Sequence, residues 1–299
     1  MKDINEQIKY WLNKIEKNVT DYRNKKTENK GHIYFDLENE AIKSKMSTGK
    51  ISVMFYLFNQ YEACLSLYRK RDVYLADYMF SNLKELAWDI RGTVYNGMQS
   101  LYYGVAAYRD YTLGNYLESL AKLNLATSFS VLQCKTIPRF FIDIQELWLN
   151  KLRVIVKTSS FNEATFLSEV CALFSFCYSG VLGNKDLSYN KNINAKDDLD
   201  NEMIFIINQL FVLLGRLTNE NKLKDSFYTV LLNNLYRISN TFDENCFYEA
   251  SIVLKIMNAA HRSEKNDLIK LLVENIGLVT SLPAQIKGVV TNSFLPMMN

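Results

Sequence analysis

The sequence predicts an all-α chain of stacked antiparallel helical hairpins, an α-solenoid, with a helical bundle as the alternative arrangement of the same helices. Three observations carry this. Only 11 Gly and 3 Pro occur in 299 residues, so helix breakers are scarce. Apolar residues recur at three- and four-residue steps, and the two-residue alternation of a half-buried strand is absent over any useful length. From Gly49 onward, helices of about twenty residues alternate with short polar breaks, which is the rhythm of helical hairpins.

The first helix is read from Ile4, Ile8, Trp11, Leu12, Ile15, Val19 and Tyr22, which lie on one stripe that must pack against something. A polar stretch from Arg23 to Lys30 ends it, and a shorter helix follows around Tyr34 to Lys45. Residues 1–48 therefore form an N-terminal segment, and residues 49–182 a series of hairpins. N-caps are expected at Ser47 or Thr48, Asp72, Asn115 and Ser159 or Ser160, where a short side-chain oxygen can accept a free backbone N–H. Residues 183–202, rich in Asn, Asp and Lys, have almost nothing to bury and read as an exposed loop. Behind it, residues 203–299 hold further hairpins, with helices near 200–217, 220–239, 243–261 and 264–281.

Composition narrows the function classes. Residues 1–50 hold 11 Lys and Arg against 8 Asp and Glu, leaving 24 of each sign for the rest of the chain. A balanced body lacks the dense basic field of a nucleic-acid binder, so no nucleic-acid partner is expected. A long uncharged run, Val170 to Asn184, has 15 residues and two glycines, too short for a bilayer span of roughly 20 residues. The first residues carry no apolar signal core, and the five cysteines lack the spacing of a secreted scaffold, which points to a cytoplasmic location with free thiols.

Helix starts show a period. Val73, Tyr116 and Phe161, at intervals of 43 and 45 residues, are each followed three residues later by a small side chain: Ala76, Ser119 and Ala164. Phe247 and Ala250 repeat the pattern 86 residues beyond Phe161. A bulky residue at a helix start and a small one a turn later let the helix approach its partner closely; any bundle of twenty-residue helices also shows a period near forty.

Tyr111 to Tyr116, with its Gly114-Asn115 turn and with Ser119, Leu123 and Ala126 behind it, resembles the centre of a tetratricopeptide repeat. Arg71, Asp72 and Val73 with Ala76, Phe80 and Leu83 are similar, with Arg71 in place of the turn glycine. Ser159, Ser160 and Phe161 with Ala164 and the upstream Trp148 make a third match. The resemblance covers about residues 55 to 175, and its period exceeds the family's 34. It implies that the first helix of each pair lines a concave surface, presenting Tyr61, Leu65, Tyr68 and Arg69, then Tyr108, Tyr111 and Thr112, then Leu149, Arg153 and Lys157. Such a groove would be aromatic with basic ends, suited to a protein or peptide partner with an acidic or C-terminal carboxylate group. The alternative is that these rings fill a core.

Chemistry is sparse. His32 and His261 sit in no metal pattern, and Cys171 and Cys177, six residues apart, point to different sides of a helix. Residues 44–52 miss two required positions of a phosphate-binding loop, having Ser44 for Gly and Ile51 for Ser or Thr. Counted from Asn190, a calcium loop would need Gly at Ala195 and Glu at Asn201. One acidic cluster, Asp197, Asp198, Asp200 and Glu202, resembles the aspartate-rich motif of isoprenoid and terpene synthases. That resemblance implies Mg²⁺ held by Asp197, Asp198 and Glu202, whereas acidic residues opening a helix also simply offset its dipole.

The expectation is thus a non-enzymatic helical-repeat protein that binds a protein or peptide, as adaptor, immunity-type inhibitor or regulatory scaffold, without cofactor. The alternatives are a Mg²⁺-dependent all-α synthase and a structural subunit of a larger assembly.

Overall fold

The computed structural model describes residues 32–179, 181–182, 185–186 and, in part, 206–231. The expected N-terminal amphipathic helix, the cluster of Asp197, Asp198 and Glu202, and the helices near 243–261 and 264–281 lie outside the described residues. Among the described residues the chain is all-α apart from a two-residue antiparallel ladder, β1 (Val181–Leu182) with β2 (Lys185–Asp186).

Two compact units divide the chain. One holds Asn29–Phe161 with Ser179–Leu199, and the other Asn162–Tyr178 with Met1–Glu28 and Asp200–Asn299. The division falls after Phe161, inside the stretch 49–182 that the sequence reads as one series.

The first unit contains α1 (His32–Lys43), α2 (Thr48–Arg69), α3 (Val73–Ser81), α4 (Leu83–Asp89), α5 (Tyr95–Thr112), α6 (Tyr116–Gln133) and α7 (Phe140–Ile155). Helix α2 packs on α3, α4 and α5, α5 on α6 and α7, and α6 on α7. The order of cross-helix contacts shows α5 and α6 to be antiparallel. Ser119 Oγ donates to the Ala107 carbonyl at 2.8 Å, Ser100 and Ser130 share a hydrogen bond of 2.6 Å, and the Gly97 N–H donates to Gln133 Oε1 at 2.8 Å. In the preceding hairpin the Cys64 thiol donates to the Ala76 carbonyl at 3.9 Å, 43 residues before the contact of Ala107 with Ser119.

The two hairpin turns are built alike. The amides of Lys70, Arg71 and Asp72 donate to Ser66, Tyr68 and Leu67; those of Leu113, Gly114 and Asn115 donate to Arg109, Tyr111 and Asp110. This closes each helix with a left-handed residue that satisfies otherwise orphaned carbonyls. Gly114 (φ 81°) takes that conformation freely, whereas Arg71 (φ 63°) accepts a steric cost of about 1 kcal/mol. Helix α1 and the helical residues 212–218 end the same way, through Lys45 (φ 57°) and Asn221 (φ 54°).

Several local details differ from expectation: Ser47 and Asn115 stand at the N-caps of α2 and α6, but neither side chain accepts a cap hydrogen bond. The second helix of the first hairpin is broken at Asn82, where the Asn82 amide and the Ser81 hydroxyl both donate to the Tyr78 carbonyl at 3.0 Å. Side chains competing for a helical carbonyl weaken the next turn. The cap ahead of residue 163 is Asn162, whose Oδ1 accepts the Thr165 N–H at 3.0 Å, in place of Ser159 or Ser160. Asp72 caps α3 as expected, accepting from the Leu75 N–H at 3.4 Å.

The core of the first unit runs from Leu37, Met54 and Leu57 through Tyr61 and Phe80 to Met98 and Phe140, with a second cluster of Ala107, Leu123, Ala126, Leu147 and Val154. Burial of such side chains stabilises by about 1.5–3 kcal/mol each. In the second unit, α8 (Glu163–Ser179) contributes buried Phe166, Val170, Leu173, Phe174 and Phe176, and Phe166 stacks on Phe227 at 6.1 Å between centroids.

Candidate functional site

The C-terminal half of α5 carries the strongest charge arrangement among the described residues. Asp77, on α3, receives three donors. Arg109 approaches it with Nε at 2.6 Å from Oδ1 and Nη2 at 3.0 Å from Oδ2, and the Tyr68 hydroxyl donates to Oδ1 at 2.8 Å. Such a two-point guanidinium pair is the strong form of an ionic hydrogen bond. Arg109 also places Nη1 at 3.3 Å from Asp110 Oδ1, and Lys122 of α6 pairs with Asp110 Oδ2. Four charges from three helices thus form one chain, with Asp110 almost fully buried at 2% exposure.

The electrostatics follow from these contacts. The hydrogen bond from Arg109 holds the Asp77 carboxyl below its ordinary range, against the opposing pull of partial burial, and raises the Arg109 guanidinium in turn. Burial, reinforced by the bond to Asp77, raises the Tyr68 hydroxyl.

Above this network lies a cleft of about 450 Å³ between α3, α4, α5 and α6. Its walls are the rings of Phe80, Tyr102 and Tyr103 and the methyl of Ala106. Lys84, Arg109 and Lys122 supply cations, and Asp77 the carboxylate. Phe80 stacks on Tyr102 at 5.0 Å, and Tyr102 meets Tyr103 edge to face at 5.3 Å.

Of the groove residues implied by the sequence, Tyr61 and Tyr68 belong to the core, each 1% exposed. They continue the stripe of Met54, Leu57 and Cys64 at three- and four-residue steps, which is the signal that could have placed them there. Leu65 is half-buried against the same core, and Leu149 is buried. Of the remaining residues, Arg69, Tyr108 and Tyr111 form a ribbon at the hairpin tips, continued by Tyr116 of α6. Arg69 is exposed, its guanidinium 5.9 Å from the centroid of the half-buried Tyr108 ring, Tyr108 lies 6.2 Å from Tyr111, and Tyr111 lies 5.9 Å from Tyr116. Arg153 donates to Asn150 Oδ1 at 2.9 Å and is half-buried; Lys157 is exposed.

At about 100° per residue, Tyr108 and Tyr111 lie on the side of α5 opposite Tyr102, Ala106 and Arg109. The ribbon and the cleft are therefore separate surfaces. Sequence reasoning missed the cleft because Asp77, Lys84, Asp110 and Lys122 look like ordinary charges on helix faces until the hairpins close. Among the described residues no group of three His, Cys, Asp or Glu could hold a metal ion, and no helix is long and apolar enough to cross a membrane. Burial pushes the thiols of Cys64, Cys134 and Cys171 up to about 11, which favours the protonated thiol over the thiolate near neutral pH. No family model, no curated protein and no solved structure matches the chain.

Proposed function

We propose that the chain is a non-enzymatic helical-repeat protein, of tetratricopeptide type and cytoplasmic, that captures a protein or peptide partner as an adaptor, inhibitor or regulatory scaffold. The observation that carries the reading is the ribbon of Arg69, Tyr108, Tyr111 and Tyr116, in which an exposed cation meets half-buried aromatic rings at the hairpin tips. Tyr and Arg anchor partners because they combine large contact area with directional polar groups. Arg153 and Lys157 extend the basic character toward the third first helix, so the partner carries an acidic or C-terminal carboxylate group. The repeat itself is supported by the turns at Arg71 and Gly114 and by the crossing contacts Cys64 with Ala76 and Ala107 with Ser119, all offset by 43 residues.

The test is a peptide display library panned against the wild type and against an Arg69→Ala, Tyr108→Ala double variant of unchanged helicity. Acidic peptides should be enriched by the wild type, and the variant should bind them about thirtyfold more weakly, as expected for loss of a hot spot worth about 2 kcal/mol. Equal binding by both proteins, or no enrichment of acidic sequences, would overturn the reading.

A further inference from the structure

The cleft on the opposite side of α5 has chemistry of its own. Its cations are not equivalent: Arg109 is matched by Asp77 and Lys122 by Asp110, whereas Lys84 is exposed and has no ion-pair partner among the described residues. The cleft and the network beneath it therefore hold one uncommitted positive charge. Arg109 and Lys122 nonetheless keep N–H groups beyond those used by their carboxylates, because a guanidinium and an ammonium carry more donors than these pairs consume. Convergent donors with a single unmatched charge suit a monoanion with several acceptor sites. A carboxylate meets that description, while a phosphoryl group near neutral pH brings a charge of about −1.5 to −2.

The apolar part of the lining selects the rest of the ligand. Tyr103 is half-buried, and the largely buried Phe80, Tyr102 and Ala106 show only their edges to the cleft; the volume of about 450 Å³ falls in the range of about 300–1,000 Å³ typical of small-ligand sites. The Asp77 charge is offset at close range by Arg109, which donates to both of its oxygens, with Tyr68 as a third donor.

We infer that this cleft binds a carboxylate attached to an aromatic or branched apolar group, with Lys84 as the charge partner and the rings of Phe80 and Tyr103 as the seat of the apolar body. Two sources share this chemistry: a free small carboxylic acid, and the last residue of a peptide chain. The inference is independent of the ribbon and survives its failure.

Isothermal titration of the full chain with N-acetyl-Gly-Gly-Phe, its C-terminal amide and 3-phenylpropionate tests the assignment. The free-acid peptide should bind at about 1 mM or tighter and the amide about tenfold more weakly, the loss of one charge-assisted contact. Lys84→Ala should cost a similar factor without changing the melting temperature, Lys84→Arg should restore binding, and Tyr108→Ala should leave it untouched. Tighter binding of the peptide acid than of 3-phenylpropionate supports the site with a chain end as its source; equal binding supports it with a free acid. Equal affinity for acid and amide, wild-type binding by Lys84→Ala, or no heat from either acid at about 1 mM overturns it.

Discussion

Helix α5 bears a polar network on each half, and the two are built on opposite principles. Near its N-terminus, Ser100, Ser130 and Asp143 interlock: Ser130 donates to Asp143 Oδ2 at 2.5 Å and accepts from the Ser100 hydroxyl at 2.6 Å, which also lies 3.1 Å from the same carboxylate oxygen. One turn away, Gln133 accepts the Gly97 N–H and donates to the Thr93 carbonyl at 2.9 Å. Short side chains on closely packed helices make this network, and every one of them is tied to a neighbouring helix or loop. Near the C-terminus the network is made of long ionic side chains, a third exposed at Asp77 and Arg109, with donors left over. The first network thus fixes how α5, α6 and α7 meet, while the second positions charges at a surface.

Close approach at the N-terminal half depends on a glycine. A Cβ at Gly97 would stand 2.6 Å from Leu37 Cδ2 and 2.7 Å from Phe140 Cζ, both in fully buried side chains with nowhere to move. Gly97→Val should therefore destabilise by about 3 kcal/mol, the upper end for overpacking, read as a lower midpoint in urea. Gly104, on the same helix, has only Leu147 Cδ2 nearby, at 4.0 Å. Gly104→Ala should stabilise by about 0.5–1 kcal/mol through helix propensity. Equal effects at the two positions would break the contrast between a jammed and an open half.

Next in size is Ser130→Ala. It leaves the Ser100 hydroxyl and the Asp143 carboxylate facing an apolar methyl in a site where Ser130 is fully buried, and should cost about 2 kcal/mol. A cost below about 0.5 kcal/mol, the scale of a surface change, would show that the hydroxyl network does not hold the helices in place.

Much of this architecture is legible before folding. The Gly114-Asn115 turn is written in residue types that favour left-handed backbone and capping, and the stripe of Met54, Leu57, Tyr61, Cys64 and Tyr68 carries the packing face of α2. Arg71 is legible only through its offset of 43 from Gly114, because an arginine gives no local sign of positive φ. The break at Asn82 depends on which side chain wins the Tyr78 carbonyl, a competition that composition does not decide. The cleft is least legible of all. Asp77 and Arg109 stand 32 residues apart, and only the packing of α3 against α5 turns two surface charges into a pair.

The smallest effect belongs to the ionic half and is separable by pH. Asp77 has a folded-state pKa below the ordinary carboxylate value of about 3.9, so its contribution is present above that value and is lost as pH falls through the folded value. Cys64 runs the other way: burial, with help from the Asp77 charge, pushes it up to about 11, so its contribution is present below the ordinary thiol range and is lost as pH rises toward 11. Tyr68, raised chiefly by burial, adds to the same alkaline edge. Asp77→Asn should lower stability at pH 7 by only about 1 kcal/mol, because the pair with Arg109 is a third exposed and solvent-screened. The diagnostic is the shape of the stability curve. The variant should lose the wild type's decline below about pH 4 while retaining most of the alkaline decline, since burial, the larger cause there, is unchanged. If the acid limb stays as steep in Asp77→Asn as in the wild type, the acid sensitivity resides elsewhere, and the ionic half of α5 is no more than a solvated surface.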